Sequence, residues 1–208
     1  LQMGAMSRVA CNYDDALAAL NQALAEILLV SKNKSTESWS GKTALVHIQI
    51  GDVLSDWGKR DLEAVESFER GLVIMKEENP GDADKLATMY HGIGVVHARL
   101  GNWDEAIDYL KLAYRIIGTE DTGRGITSRY CAVLCKDIGR VRLDQYFWDE
   151  RLLHDTQERE NILTEAAIFS QKSVKNGSYF IDALLNCAQL AYFKHGIEEG
   201  SKLLMAYF

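Results

Sequence analysis

The chain has 208 residues, 47% hydrophobic and 25% charged, an ordinary globular composition with enough length to bury a sizeable core. Its net charge of −7 argues against nonspecific nucleic-acid binding, which rests on clustered lysine and arginine. No apolar run reaches the roughly 20 residues that span a bilayer, and a single proline, Pro80, leaves room for long helices.

In chain order, residues 1–6 (LQMGAM) read as the remnant of a cleaved expression tag and are set aside. Residues 7–31 form a partial unit. Asn12-Tyr13-Asp14-Asp15-Ala16, then Leu20 and Ala23, give a turn and one helix, with a Ser/Thr/Asn/Lys-rich loop over 32–41. Residues 43–79 and 83–118 are each predicted as two amphipathic helices around a glycine turn, at Gly58 and Gly101. Between them, Pro80-Gly81 marks a turn, and Asp82 or Asp84 is placed to cap the next helix. The two stretches are in register: Gly51 stands 43 residues before Gly94, and Ala64, Phe68 and Gly71 each stand 42 before Ala106, Leu110 and Ala113. An offset kept across both helices, but for one extra residue in the turn Gly58-Lys59-Arg60-Asp61, is the signature of an internal repeat.

The pattern then weakens. Over 124–176, Tyr130, Ala132, Cys135 and Ile138 fit a first helix with Gly139 as its turn, but the small residue of the second helix, Ala166, arrives late. The intervening 141–161 is charged, carries Tyr146, Phe147 and Trp148, lacks glycine and proline, and is predicted as extended or additional helix. A partial unit over 178–208 has small contacts at Ala188 and Ala191 and a turn at His195-Gly196. Its apolar end, Leu203 to Phe208, leads to the expectation that the parent protein continues.

Gly94, Gly101, Trp103 and the Ala106–Leu110–Ala113 ladder resemble a tetratricopeptide repeat, and the period near 42 residues resembles the long-repeat class of kinesin light chain and the Pins/LGN-type adaptors. The resemblance implies an all-α fold, a right-handed superhelical solenoid of helix-turn-helix repeats. It also implies a non-enzymatic interaction scaffold that binds a peptide or helical segment in a groove lined by the first helix of each repeat. Carried over by register, that groove takes Leu45, Ile48, Asp52 and Ser55, then Thr88, His91, Val95 and Arg99, then Arg129, Val133 and Lys136, and finally Asp182, Leu185, Asn186, Gln189 and Tyr192. The Lys/Asn carboxylate clamp of chaperone-binding relatives is largely missing: Ile48, Asp52, His91, Val95, Arg129 and Val133 occupy its places, and only Asn186 matches its asparagine.

Arg99, Arg129 and Lys136, with Arg124, Arg140 and Arg142 close in sequence, are expected to form a basic stripe suited to an acidic peptide. Tyr146, Phe147 and Trp148 cannot all face one core, so they are candidate interface anchors. Cys131 and Cys135 share a helix face without a completing ligand, and Cys11 and Cys187 are distant, so core packing of reduced thiols is expected rather than metal. No Ser/His/Asp or Cys/His arrangement and no phosphate loop stands out, so no catalytic, cofactor or metal residue is assigned. The expected setting is the cytoplasm, by resemblance near cytoskeleton or cilium, with a protein partner and no nucleic acid. A self-associating homo-oligomer and a regulatory piece of a longer protein are the alternatives.

Overall fold

The computed structural model describes residues 12–33, 39–118, 125–176, 185–190 and 192. The elements are α1 (Tyr13–Asn33), α2 (Ser40–Trp57), α3 (Asp61–Glu78), α4 (Ala83–Arg99), α5 (Trp103–Gly118), α6 (Gly125–Trp148), a 3-10 turn (Glu150–Leu152) and α7 (Thr156–Asn176). Residues 185–190 are also helical. Among the described residues none of the helices is long and apolar enough to cross a membrane. The proposed tag remnant 1–6, Arg124, Asp182, Ala191 and the turn at His195-Gly196 lie outside the described residues. The chain divides into two compact units, Leu1–Val96 and His97–Phe208.

In the first unit, α2 and α3 form a hairpin closed by Gly58, whose φ of 66° lies in the left-handed region that favours glycine. The Gly58 N–H donates to the Leu54 carbonyl at 3.1 Å, so the helix end is satisfied as the chain reverses. α1 lays Ala16, Leu17 and Leu20 on Val46, Ile50, Val53 and Leu54 of α2, and Tyr13 stacks on Trp57 at 5.8 Å. The fully buried Phe68 of α3 sits in a slot between two glycines. A Cβ at Gly51 on α2 would stand 2.7 Å from its ring, and one at Gly92 on α4 would overlap the same ring. Burying that ring contributes on the order of 2 kcal/mol. Asp82 caps α4, its Oδ1 accepting from the Lys85 N–H at 3.1 Å.

In the second unit, the close of α4 turns at Gly101 (φ 77°), and the His97 ring stacks on Tyr109 of α5 at 5.5 Å. The predicted turn at Gly139 is corrected: α6 runs through it to Trp148, and the chain reverses over 149–155 instead. Gly139 is buried against α7, where a Cβ would overlap Ser170 Oγ and stand 3.3 Å from the Ala166 carbonyl. The glycine serves a helix crossing, because Leu143, one turn on, continues its face and packs with Leu163 and Ala166. The late Ala166 has the same explanation: α6 and α7 are antiparallel partners lengthened together, with Ser173 Oγ donating to the Ala132 carbonyl at 2.7 Å farther along. The 141–161 stretch is thus the end of α6, the reversal and the start of α7.

Candidate protein-binding site

The first-helix positions fall into place unevenly. In the first unit Leu45, Asp52 and Ser55 on α2 and Thr88, His91 and Val95 on α4 are half-buried, while the opposite faces of these helices are core. Ile48 is buried, because it shares the i, i+3 face of Gly51. In the second unit Arg99 and Arg129 are exposed, and Val133 and Lys136 half-buried. Leu185, Gln189 and Tyr192 are exposed. Asn186 is corrected: at 2% exposure it belongs to the buried face it shares, one turn on, with Leu190, and its Nδ2 has no partner among the described residues.

The expected basic stripe is also reduced. Arg142 is largely buried and donates from Nε to Glu165 Oε2 at 2.7 Å and from Nη1 to Gln145 Oε1 at 2.6 Å. Lys136 pairs with Asp137, and Arg140 with Asp144 one turn along, each at 3.1 Å. Arg99 is engaged as well. Glu165 also takes the Lys111 ammonium, so it ties α5 and α6 to α7. Burial opposes its charge, but the two cations outweigh burial and hold its carboxyl below the usual range. These arginines and lysines act first within the fold, a role that sequence neighbourhood alone does not disclose.

The aromatic triplet splits. Tyr146 packs against Leu143, Leu163, Ala166 and Leu190, with the Arg159 guanidinium 4.2 Å from its ring centroid and the edge of Phe147 at 5.2 Å. Trp148 is 73% exposed. Immediately after it, Asp149 is buried, and its Oδ1 accepts from the Arg151 N–H at 3.1 Å. The Arg151 side chain spans two carboxylates, Asp149 at 2.7 Å and Asp104 of α5 at 3.2 Å. That guanidinium holds the Asp149 carboxyl below its ordinary range. Gln145 adds a hydrogen bond to Asp104 at 3.1 Å. The reversal of the long hairpin is thereby tethered to the start of α5, and between them lies a notch of about 330 Å³ with Trp103, Trp148, Glu105, Glu150 and Arg151 in its walls.

A second cavity, about 160 Å³, lies in the first unit among Leu17, Asn21, His47, Ser67 and Arg70. Burial, then the neighbouring Arg70 charge, lowers the pKa of His47, whose Nδ1 has no partner among the described residues. Burial pushes the Cys135 and Cys187 thiols up to about 11, which leaves them protonated and unreactive at neutral pH. Among the described residues no group of three or more His, Cys, Asp or Glu is gathered as for a metal.

Residues 42–118, the span from α2 to α5, match the tetratricopeptide repeat family. Among solved structures, the chain is similar over 99% of its length to a candidate kinesin light chain of Podosopora anserina with nearly identical TPR-like repeats. The match has 13% identity and a TM-score of 0.62, and it covers 90% of that chain. It is also similar over 100% of its length to MamA, with 15% identity, a TM-score of 0.56 and 93% of that chain covered. At these identities the likeness concerns the fold, an all-helical alpha-alpha superhelical repeat. A search of curated proteins gave no match.

Proposed function

We propose that this protein is a non-enzymatic scaffold that holds a peptide or helical segment of a partner protein against the first helices of its repeats. One observation carries the reading: Leu45, Asp52, Thr88, His91 and Val95 stay half-buried on α2 and α4 while the other faces of both helices are core. Preformed, partly apolar positions of this kind bind by burying an anchor without first ordering the site. In the second unit Arg129, Val133 and Lys136 extend the reading, and recognition of a partner carboxylate rests on Arg129, because Lys136 shares its charge with Asp137. The cytoplasmic, cytoskeletal or motor-cargo setting is proposed from likeness to a kinesin light chain fold.

The test is a peptide array probed with the chain, with affinities then measured for the best binder. Thr88→Glu with His91→Glu should weaken binding at least tenfold, and Val73→Glu on the exposed side of α3 should leave it within twofold. Equal losses from both changes would place binding elsewhere. The self-association alternative draws on Leu28 and Leu29, exposed side by side on α1. A concentration-dependent dimer abolished by Leu29→Lys would favour it.

A further inference from the structure

Beyond the first-helix positions, the notch at the reversal of the long hairpin has its own chemistry. Its walls hold two indoles, one of them Trp148 standing well into solvent, and the exposed carboxylates of Glu105 and Glu150. Arg151 is the cation in the wall, and its charge is already shared between Asp149 and Asp104. The local balance is therefore negative, on a chain that is itself acidic. Indole faces attract cations, and an ammonium or guanidinium over a ring within about 6 Å gains most where a counter-charge stands beside it. Arg151 shows that a guanidinium is held at the edge of this place. Acidic segments and nucleic acid meet like charge here.

We propose that the notch receives a lysine or arginine side chain from a basic segment of a partner protein, with the Trp148 indole against the cation and Glu105 and Glu150 as its counter-charges. The proposal rests on the protein being an interaction scaffold, but it uses a surface separate from the first-helix positions. The extension of α6 and α7 beyond Gly139 acquires a purpose from it: the lengthened hairpin carries Trp148 and Glu150 to the turn at Gly101, and a hairpin ending at Gly139 would have no such wall.

The test uses fluorescein-labelled peptides of alternating glycine with lysine, arginine or glutamate, titrated with the chain and followed by anisotropy at low and moderate salt. The lysine and arginine peptides should bind and the glutamate peptide should not. Trp148→Ala, which keeps the charge and removes an exposed side chain, should weaken binding roughly fivefold or more. Glu150→Lys should weaken it further, whereas Glu77→Lys on α3, an equal charge change, should move it less than twofold. If Trp148→Ala has no effect, or Glu77→Lys matches Glu150→Lys, attraction is only diffuse and the proposal falls. Absence of binding to either cationic peptide also overturns it. The Thr88→Glu/His91→Glu variant should retain notch binding, so failure of the first-helix reading is seen separately.

Discussion

The hairpin of α2 and α3 and the hairpin of α6 and α7 descend from the same pattern of small and apolar residues, yet they are closed by different means. The first turns where a left-handed glycine, Gly58, ends α2, and an apolar slot around Phe68 holds it. The second ignores its glycine as a turn, runs on to Trp148, and is fastened at its far end by charge: Arg151 between Asp149 and Asp104, and Arg142 and Lys111 on Glu165. A glycine in a repeat therefore has two distinct uses. Its place relative to the surrounding apolar face, not its presence, decides between them.

The largest expected effect breaks the apolar member of the pair. Phe68→Ala empties the slot between Gly51 and Gly92, and an unfolding curve in urea should show a loss of about 3–5 kcal/mol. Next comes the crossing in the other hairpin. Gly139→Ala drives a methyl into Ser170 Oγ and should cost about 1–3 kcal/mol. Ser170→Ala on the same chain should recover most of it, since that hydroxyl is buried without a hydrogen bond among the described residues. A Gly139 at a turn would show no such rescue.

Arg151→Ala addresses the polar fastening. Faster amide exchange over residues 145–152 is expected, with the global unfolding midpoint little changed; unchanged exchange would mean that packing alone holds the reversal. The same tether has a pH limit, because the lowered Asp149 carboxyl contributes stability above the ordinary aspartate range near pH 4 that is lost as pH falls through its folded value.

The smallest effect lies in the first unit, at His47. Its pKa is lowered in the fold by burial and by Arg70, so the folded state resists a proton that the unfolded chain accepts near pH 6.5. Its contribution is complete above that pH and lost as pH falls through the folded value. In the cavity Arg60 is paired with Glu63 and Arg70 with Glu66, which leaves the imidazole as the group expected to titrate in this range. Melting temperature should fall between pH 7.5 and 5.5, and His47→Leu should flatten that dependence.

Much of the all-helical fold was legible, because the offset near 42 residues carries the glycine turns at Gly58 and Gly101 and the small residues with it. Less of the binding surface was. Asn186 and Ile48 were placed by register but rotate into the core. The basic stripe is reduced, because Arg142 meets Glu165, 23 residues away. Gly92 escaped notice because its partner, Phe68, lies in another helix. The sequence offers Trp148 only as one of three candidate anchors, and nothing linear joins it to Gly101 and Glu105.

Sequence alone determined the helices, the repeat and its two regular turns, since periodicity, glycine conformations and caps act over a few residues. Only the tertiary structure decided that Gly139 is a crossing point, that α6 and α7 lengthen together, and that their reversal is tethered to Asp104. Those outcomes depend on packing and ion pairing between residues tens of positions apart, whose energies no local pattern records.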